Sequence, residues 1–183
     1  MQEQKQNLNQ KHFYQNLRRL KETFNAKILA EFQPTRKWKL GRDLLYSTTD
    51  LNRAEVKTLR DIGVDVKRDT DISPAVITVP TEFMTDLAST PRVLWAFIAP
   101  FDVARAAIVH DLLYKSIRQY RWQKGTNEED KELIKNAKVI ADKVFCLAMK
   151  DADPKVSGWK IYSAWKAVDL FGRWSIKPNE KNI

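Results

Sequence analysis

Between Arg105 and Lys115 the chain reads RAAIVHDLLYK, and its apolar residues leave almost no face for water. At 3.6 residues per turn, Ala107, His110, Asp111 and Tyr114 fall on one side of a helix. Ile108, Val109, Leu112 and Leu113 cover the rest. A helix that is apolar nearly all round has to be enclosed by other elements, which takes its imidazole and carboxylate out of water. A buried charge needs a partner or a metal. His110 and Asp111 are therefore either satisfied core groups joining two helices, or a general base beside a cation ligand.

The 183 residues, 43% hydrophobic and 10% aromatic, suit one globular domain with an extension. No run of about 18 apolar residues occurs, and the basic, glutamine-rich start has no apolar signal core, so the chain is expected in the cytosol of the cell that makes it. One cysteine, Cys146 in VFCLAM, cannot form an internal disulfide and reads as a packed thiol. The formal charge of +9, from 32 Lys and Arg against 23 Asp and Glu, is scattered and comes with no helix-turn-helix, zinc-finger or RNA-binding motif. Nucleic acid is thus disfavoured as partner. Anionic membrane surfaces or a charged assembly partner account for the excess equally well.

Phe13, Leu17, Leu20 and Phe24 recur at helical spacing, giving an amphipathic helix that docks on the body or a partner, with peripheral membrane contact a weaker reading. Lys27–Phe32 and Trp38–Tyr46 read as strands around Gln33-Pro34-Thr35, and Ala75–Pro80 as a third. Asn52–Ile62 reads as a helix capped by Thr49 or Asp50 and ended at Gly63. Pro91 opens a helix over 91–98, with Asp86 a turn ahead of it as a cap or a ligand, and Asp102 caps the central helix. Thr126 and Glu129 suit a capping box before a long helix reaching Lys150. On that helix Asp142 lies on an apolar stripe with Ala141, Phe145, Ala148 and Met149. Trp159–Phe171 is a last helix closed by Gly172, its aromatics expected to pack inward.

Several of these blocks resemble a family of unknown function found mostly in tailed phages and prophages. They are ValPro at 79–80, ThrAspLeuAlaSer at 85–89, ProArg at 91–92, HisAspLeuLeuTyr at 110–114, AlaAsp at 141–142 and AlaMet at 148–149. The resemblance covers roughly residues 27–172 and implies a phage origin. More distantly, a helix bearing HDxxY followed by an antiparallel helix with an inward aspartate resembles the helix pair of secreted and parvoviral phospholipases A2. That resemblance implies His110 as the base that deprotonates water, Asp111 as a calcium ligand, and Asp142 with Tyr114 as the groups that orient the histidine. Those phospholipases supply calcium with carbonyls from a glycine-rich loop, whereas this chain has no glycine between Gly63 and Gly125. Asp86, with Ser89, would have to replace them, which leaves the divalent cation and the substrate open.

The expectation is an α+β chain: a small antiparallel sheet from residues 27–80 packed on a helical half that contains an antiparallel His-Asp helix pair. It divides into a helical extension over 1–25, one domain over 26–176 and a loose tail over 177–183. Two functions are expected as alternatives. One is a metal-dependent hydrolase acting on a cell-envelope lipid or another ester or amide, with His110, Asp142 and Tyr114 catalytic and Asp111 and Asp86 on Ca2+ or another divalent cation. The other is a noncatalytic phage virion or assembly protein, partnered by phage structural proteins, in which the helix pair is structural. Oligomeric state stays open.

Overall fold

The computed structural model describes residues 24–25, 27–34, 37–85, 103–124, 128–152, 155–180 and 182–183. Strands β1 (Ala30–Gln33), β2 (Lys37–Leu40) and β3 (Leu44–Thr48) precede helix α1 (Arg53–Asp61). Strands β4 (Val66–Lys67), β5 (Ala75–Val79) and β6 (Met84–Thr85) follow, and then helices α2 (Ala104–Lys124), α3 (Glu128–Lys150) and α4 (Gly158–Ser175). The class is α+β, as expected.

The strands form two antiparallel sheets rather than one, in the orders β1-β2-β6 and β3-β5-β4. The β-rich run from Trp38 to Tyr46 is broken at Gly41, where the chain leaves one sheet for the other. A Cβ on Gly41 would lie 3.1 Å from Leu29 Cγ, and the Gly41 N–H donates to the Leu29 carbonyl at 2.8 Å, so the bend is held against the start of β1. In β3 and β5 burial alternates along each strand, placing Leu44, Tyr46, Ala75, Ile77 and Val79 inward. Register Tyr46↔Ile77 sets these side chains opposite one another.

Helix α1 is capped by Asn52, one of its own expected residues, and not by Thr49 or Asp50. The Glu55 N–H donates to Asn52 Oδ1 at 2.9 Å and the Asn52 N–H donates to Glu55 Oε2 at 2.8 Å, a reciprocal capping box. Gly63 ends the helix with φ +86°, the left-handed conformation that glycine adopts without steric cost. Lys143 of α3 donates to the Glu55 carboxylate at 2.7 Å, tying the capped end to the helical half.

Helices α2 and α3 are antiparallel, since Tyr120 meets Asp130 while Tyr114 and His110 meet Asp142. Ala137, Ala141 and Ala148 are fully buried on α3 and let the pair approach closely. Helix α4 departs from expectation in two ways. It runs through Gly172 to Ser175, and it buries Ile161, Ala164, Val168 and Gly172 while Trp159, Tyr162, Phe171 and Trp174 are exposed.

Asn182, in the expected tail, is joined to α2, whose Arg118 donates from Nε to the Asn182 carbonyl at 2.8 Å. Of the expected N-terminal helix only Phe24 and Asn25 are described, and Phe24 makes an antiparallel bridge with Tyr46 instead. The expected helix at 91–98, the Asp102 cap, the Thr126 end of the capping box and Asp86 lie outside the described residues. No helix among the described residues is long and apolar enough to cross a membrane.

Candidate functional site

The face read from the sequence of α2 is enclosed: Ala107, His110, Asp111 and Tyr114 are all buried, His110 to 1% of its surface. Its polar groups nevertheless go to two different elements. His110 and Tyr114 turn to α3, where Asp142 Oδ1 lies 3.2 Å from His110 Nε2 and accepts from the Tyr114 hydroxyl at 2.7 Å. Asp111 turns to β6, accepting from the Thr85 hydroxyl through Oδ2. The imidazole is flanked by rings, with centroids 4.0 Å from Tyr114 and 4.7 Å from Phe145.

A residue that the sequence reading did not single out completes the cluster. Lys138, one turn before Asp142 on α3, places Nζ 2.8 Å from Asp142 Oδ2. The same ammonium donates to the Asp169 carbonyl at 3.0 Å and lies 3.3 Å from Asp169 Oδ1 on α4. Lys138 thus joins α3 to α4, and through Asp142 the same cluster reaches His110 and Tyr114 of α2. Its signal was the i, i+4 pairing with Asp142, which the ordinary expectation of a solvated lysine hides.

Burial works against the Asp142 carboxylate, yet the bonds from His110, Lys138 and Tyr114 outweigh it and hold the carboxyl below the usual carboxylate range. Tyr114 moves the other way: burial first, then the Asp142 charge, push its hydroxyl above the ordinary tyrosine value. With Asp142 ionised, the His110 nitrogen that faces it carries the proton. In that tautomer the lone pair lies on Nδ1.

The sign of the Asp142 shift fixes a pH dependence. Its carboxylate binds fewer protons folded than unfolded, so it stabilises the fold above the ordinary carboxylate value, and that contribution is lost as pH falls through the depressed folded value. The stability difference between wild type and Asp142→Asn should accordingly shrink between about pH 5 and about pH 2 in urea titrations. A difference that is constant over that range would mean Asp142 titrates normally.

Asp111 and the Thr85 hydroxyl supply one carboxylate and one neutral oxygen, short of the roughly six to eight oxygens that calcium takes. Among the described residues there is no group of three His, Cys, Asp or Glu that could hold a metal ion. Asp86, the other ligand expected from the sequence, lies outside the described residues. The donor set among the described residues does not by itself fit a divalent cation.

A separate cleft of about 580 Å³ is lined by Thr49–Arg53, Arg68 and Asp71 and shares no residue with this cluster. Its cations are engaged, Arg53 with the Asp71 carboxylate and Arg68 with the carbonyls of Leu51 and Thr70.

Residues 61–168 match the family described as Protein of unknown function (DUF1353). The chain belongs to that family. The DUF1353 match takes in Thr85, His110, Asp111, Tyr114, Lys138 and Asp142, and it stops one residue before Asp169. Comparisons with curated proteins and with solved structures give no match.

Proposed function

We propose that this DUF1353 protein is a phage-encoded hydrolase of a cell-envelope lipid or another ester or amide, with His110 as its base. The observation that carries the reading is the arrangement of the imidazole: its Nε2 faces a buried carboxylate, Asp142, that the Tyr114 hydroxyl also holds, and this directs Nδ1 to the part of the base. In this reading Nδ1 takes a proton from water, the hydroxide attacks the carbonyl carbon, and the proton passes from the imidazolium to the departing oxygen or nitrogen. Asp142 stabilises the imidazolium while it exists, and Tyr114 and Lys138 keep the carboxylate in place. The divalent cation expected at Asp111, calcium by resemblance, would need donors beyond Asp111 and the Thr85 hydroxyl, and no step of this reading passes through it. Phage origin rests on the likeness of the ThrAspLeuAlaSer and HisAspLeuLeuTyr blocks, and so does an expected place in the host cytoplasm or the virion.

The near-complete burial of His110 favours a second reading, a noncatalytic virion or assembly protein in which the same network only joins helices. The two separate on one experiment, the release of fatty acid from phosphatidylglycerol and of nitrophenol from acyl esters, with and without added calcium. Wild type should turn over one of these probes, and His110→Gln should reduce the rate about a hundred- to ten-thousand-fold while remaining folded. Equal turnover by both proteins, or none by either, leaves the structural reading standing.

A further inference from the structure

The outward face of α4 has the composition of a membrane-contacting surface. Trp159, Tyr162, Lys166, Leu170, Arg173 and Trp174 follow one another at i, i+3, i+7, i+11, i+14 and i+15. They lie along the side of the helix opposite the buried Ile161, Ala164, Val168 and Gly172. The four apolar members are 55–60% exposed. Single exposed apolar residues are unremarkable, but three aromatic rings and a leucine aligned on one helix face are not.

The charges beside them are of one sign. From residue 155 to residue 177 the chain has five basic residues and one acidic residue, and that one, Asp169, is turned to Lys138. Lys166 Nζ sits 4.9 Å from the Trp165 ring centroid, and the Arg173 guanidinium sits 5.5 Å from that of Trp174. Cations are thus held at the level of the rings. Tryptophan and tyrosine bodies with basic side chains beside them suit the boundary between acyl chains and phosphate headgroups.

We infer that the outer face of α4 docks on an anionic phospholipid surface, with Trp159, Leu170 and Trp174 entering the headgroup boundary and Lys166 and Arg173 meeting phosphates. Charge decides among the occupants. A second copy laid face to face would set these cations against themselves. The chain's own first 23 residues, with five basic and two acidic side chains, would likewise bring positive charge to positive charge. Anionic lipid complements the face, and the whole-chain charge of +9 adds attraction over distance.

The test is co-sedimentation of the full chain with vesicles of phosphatidylcholine alone and of phosphatidylcholine with phosphatidylglycerol, at low and high salt. Wild type should bind the anionic vesicles and not the neutral ones, with a blue shift of tryptophan emission. Lys166→Gln with Arg173→Gln should weaken binding roughly 25-fold, about fivefold for each cation near the surface. Trp159→Ser with Trp174→Ser should lose the blue shift and the binding that survives at high salt. The proposal is overturned by no binding to anionic vesicles, by variants that bind like wild type, or by light scattering that shows a dimer dissolved by the tryptophan changes. None of these readouts uses His110, so the outcome is independent of hydrolysis.

Discussion

Replacing Asp142 with alanine is expected to cost about 3–5 kcal/mol of folding stability, the range for removing one partner of a buried ion pair. Three donors lose their acceptor together: His110 Nε2, the Tyr114 hydroxyl and Lys138 Nζ. Tyr114 and His110 are each about 1% exposed, so water does not replace the carboxylate for them. Lys138 retains Asp169, which sets the loss below that of a fully abandoned buried cation. Asp142→Asn keeps the shape and one acceptor oxygen, and its cost should fall well short of that of alanine. Urea unfolding at neutral pH measures both. A loss under about 1 kcal/mol for alanine would mean that the cluster is hydrated and that the enclosure of His110 is not real.

The helix pair was legible because its polar residues stand out against apolar surroundings. Asp142 on a stripe of Ala141, Phe145, Ala148 and Met149 has no solvent face to go to, so a partner across the interface was required, and the resemblance to the phospholipase helix pair implied His110 and Tyr114. Lys138 was not legible, since a lysine one turn from an aspartate is ordinarily a surface pair, and only the arrival of α4 encloses it. Sheet topology was hidden for a related reason. Trp38–Tyr46 has β-rich residues on both sides of Gly41 and so reads as one strand, and the bend at Gly41 is held by Leu29, outside that run. The aromatics of α4 misled because size suggests burial. The face that packs is built from Ala164, Val168 and Gly172, small residues that permit close approach, and the large rings are left outside.

Gly172 is the sharpest case, since a lone glycine near a helix end reads as a terminator while here it is a contact. Gly172→Ala is expected to destabilise the fold by about 1–3 kcal/mol, although alanine is the better helix former by about 1 kcal/mol. The added Cβ would lie 2.1 Å from the Tyr114 hydroxyl oxygen, 3.1 Å from Tyr114 Cζ and 3.0 Å from Lys138 Cε. The lysine stem can bend. The tyrosine cannot yield cheaply, because its ring is buried beside His110 and its hydroxyl is bound to Asp142 at 2.7 Å. Either α4 lifts away from α2 and α3, or the Tyr114–Asp142 bond breaks. A double-mutant cycle with Tyr114→Phe identifies the colliding atom. Removing the hydroxyl abolishes its contact with the added Cβ and leaves the milder ones to Tyr114 Cζ at 3.1 Å and Lys138 Cε at 3.0 Å, so Gly172→Ala should cost at least about 1 kcal/mol less in the phenylalanine background. Additive costs would place the damage elsewhere, and a neutral or stabilising Gly172→Ala in wild type would show that α4 does not approach Tyr114 this closely.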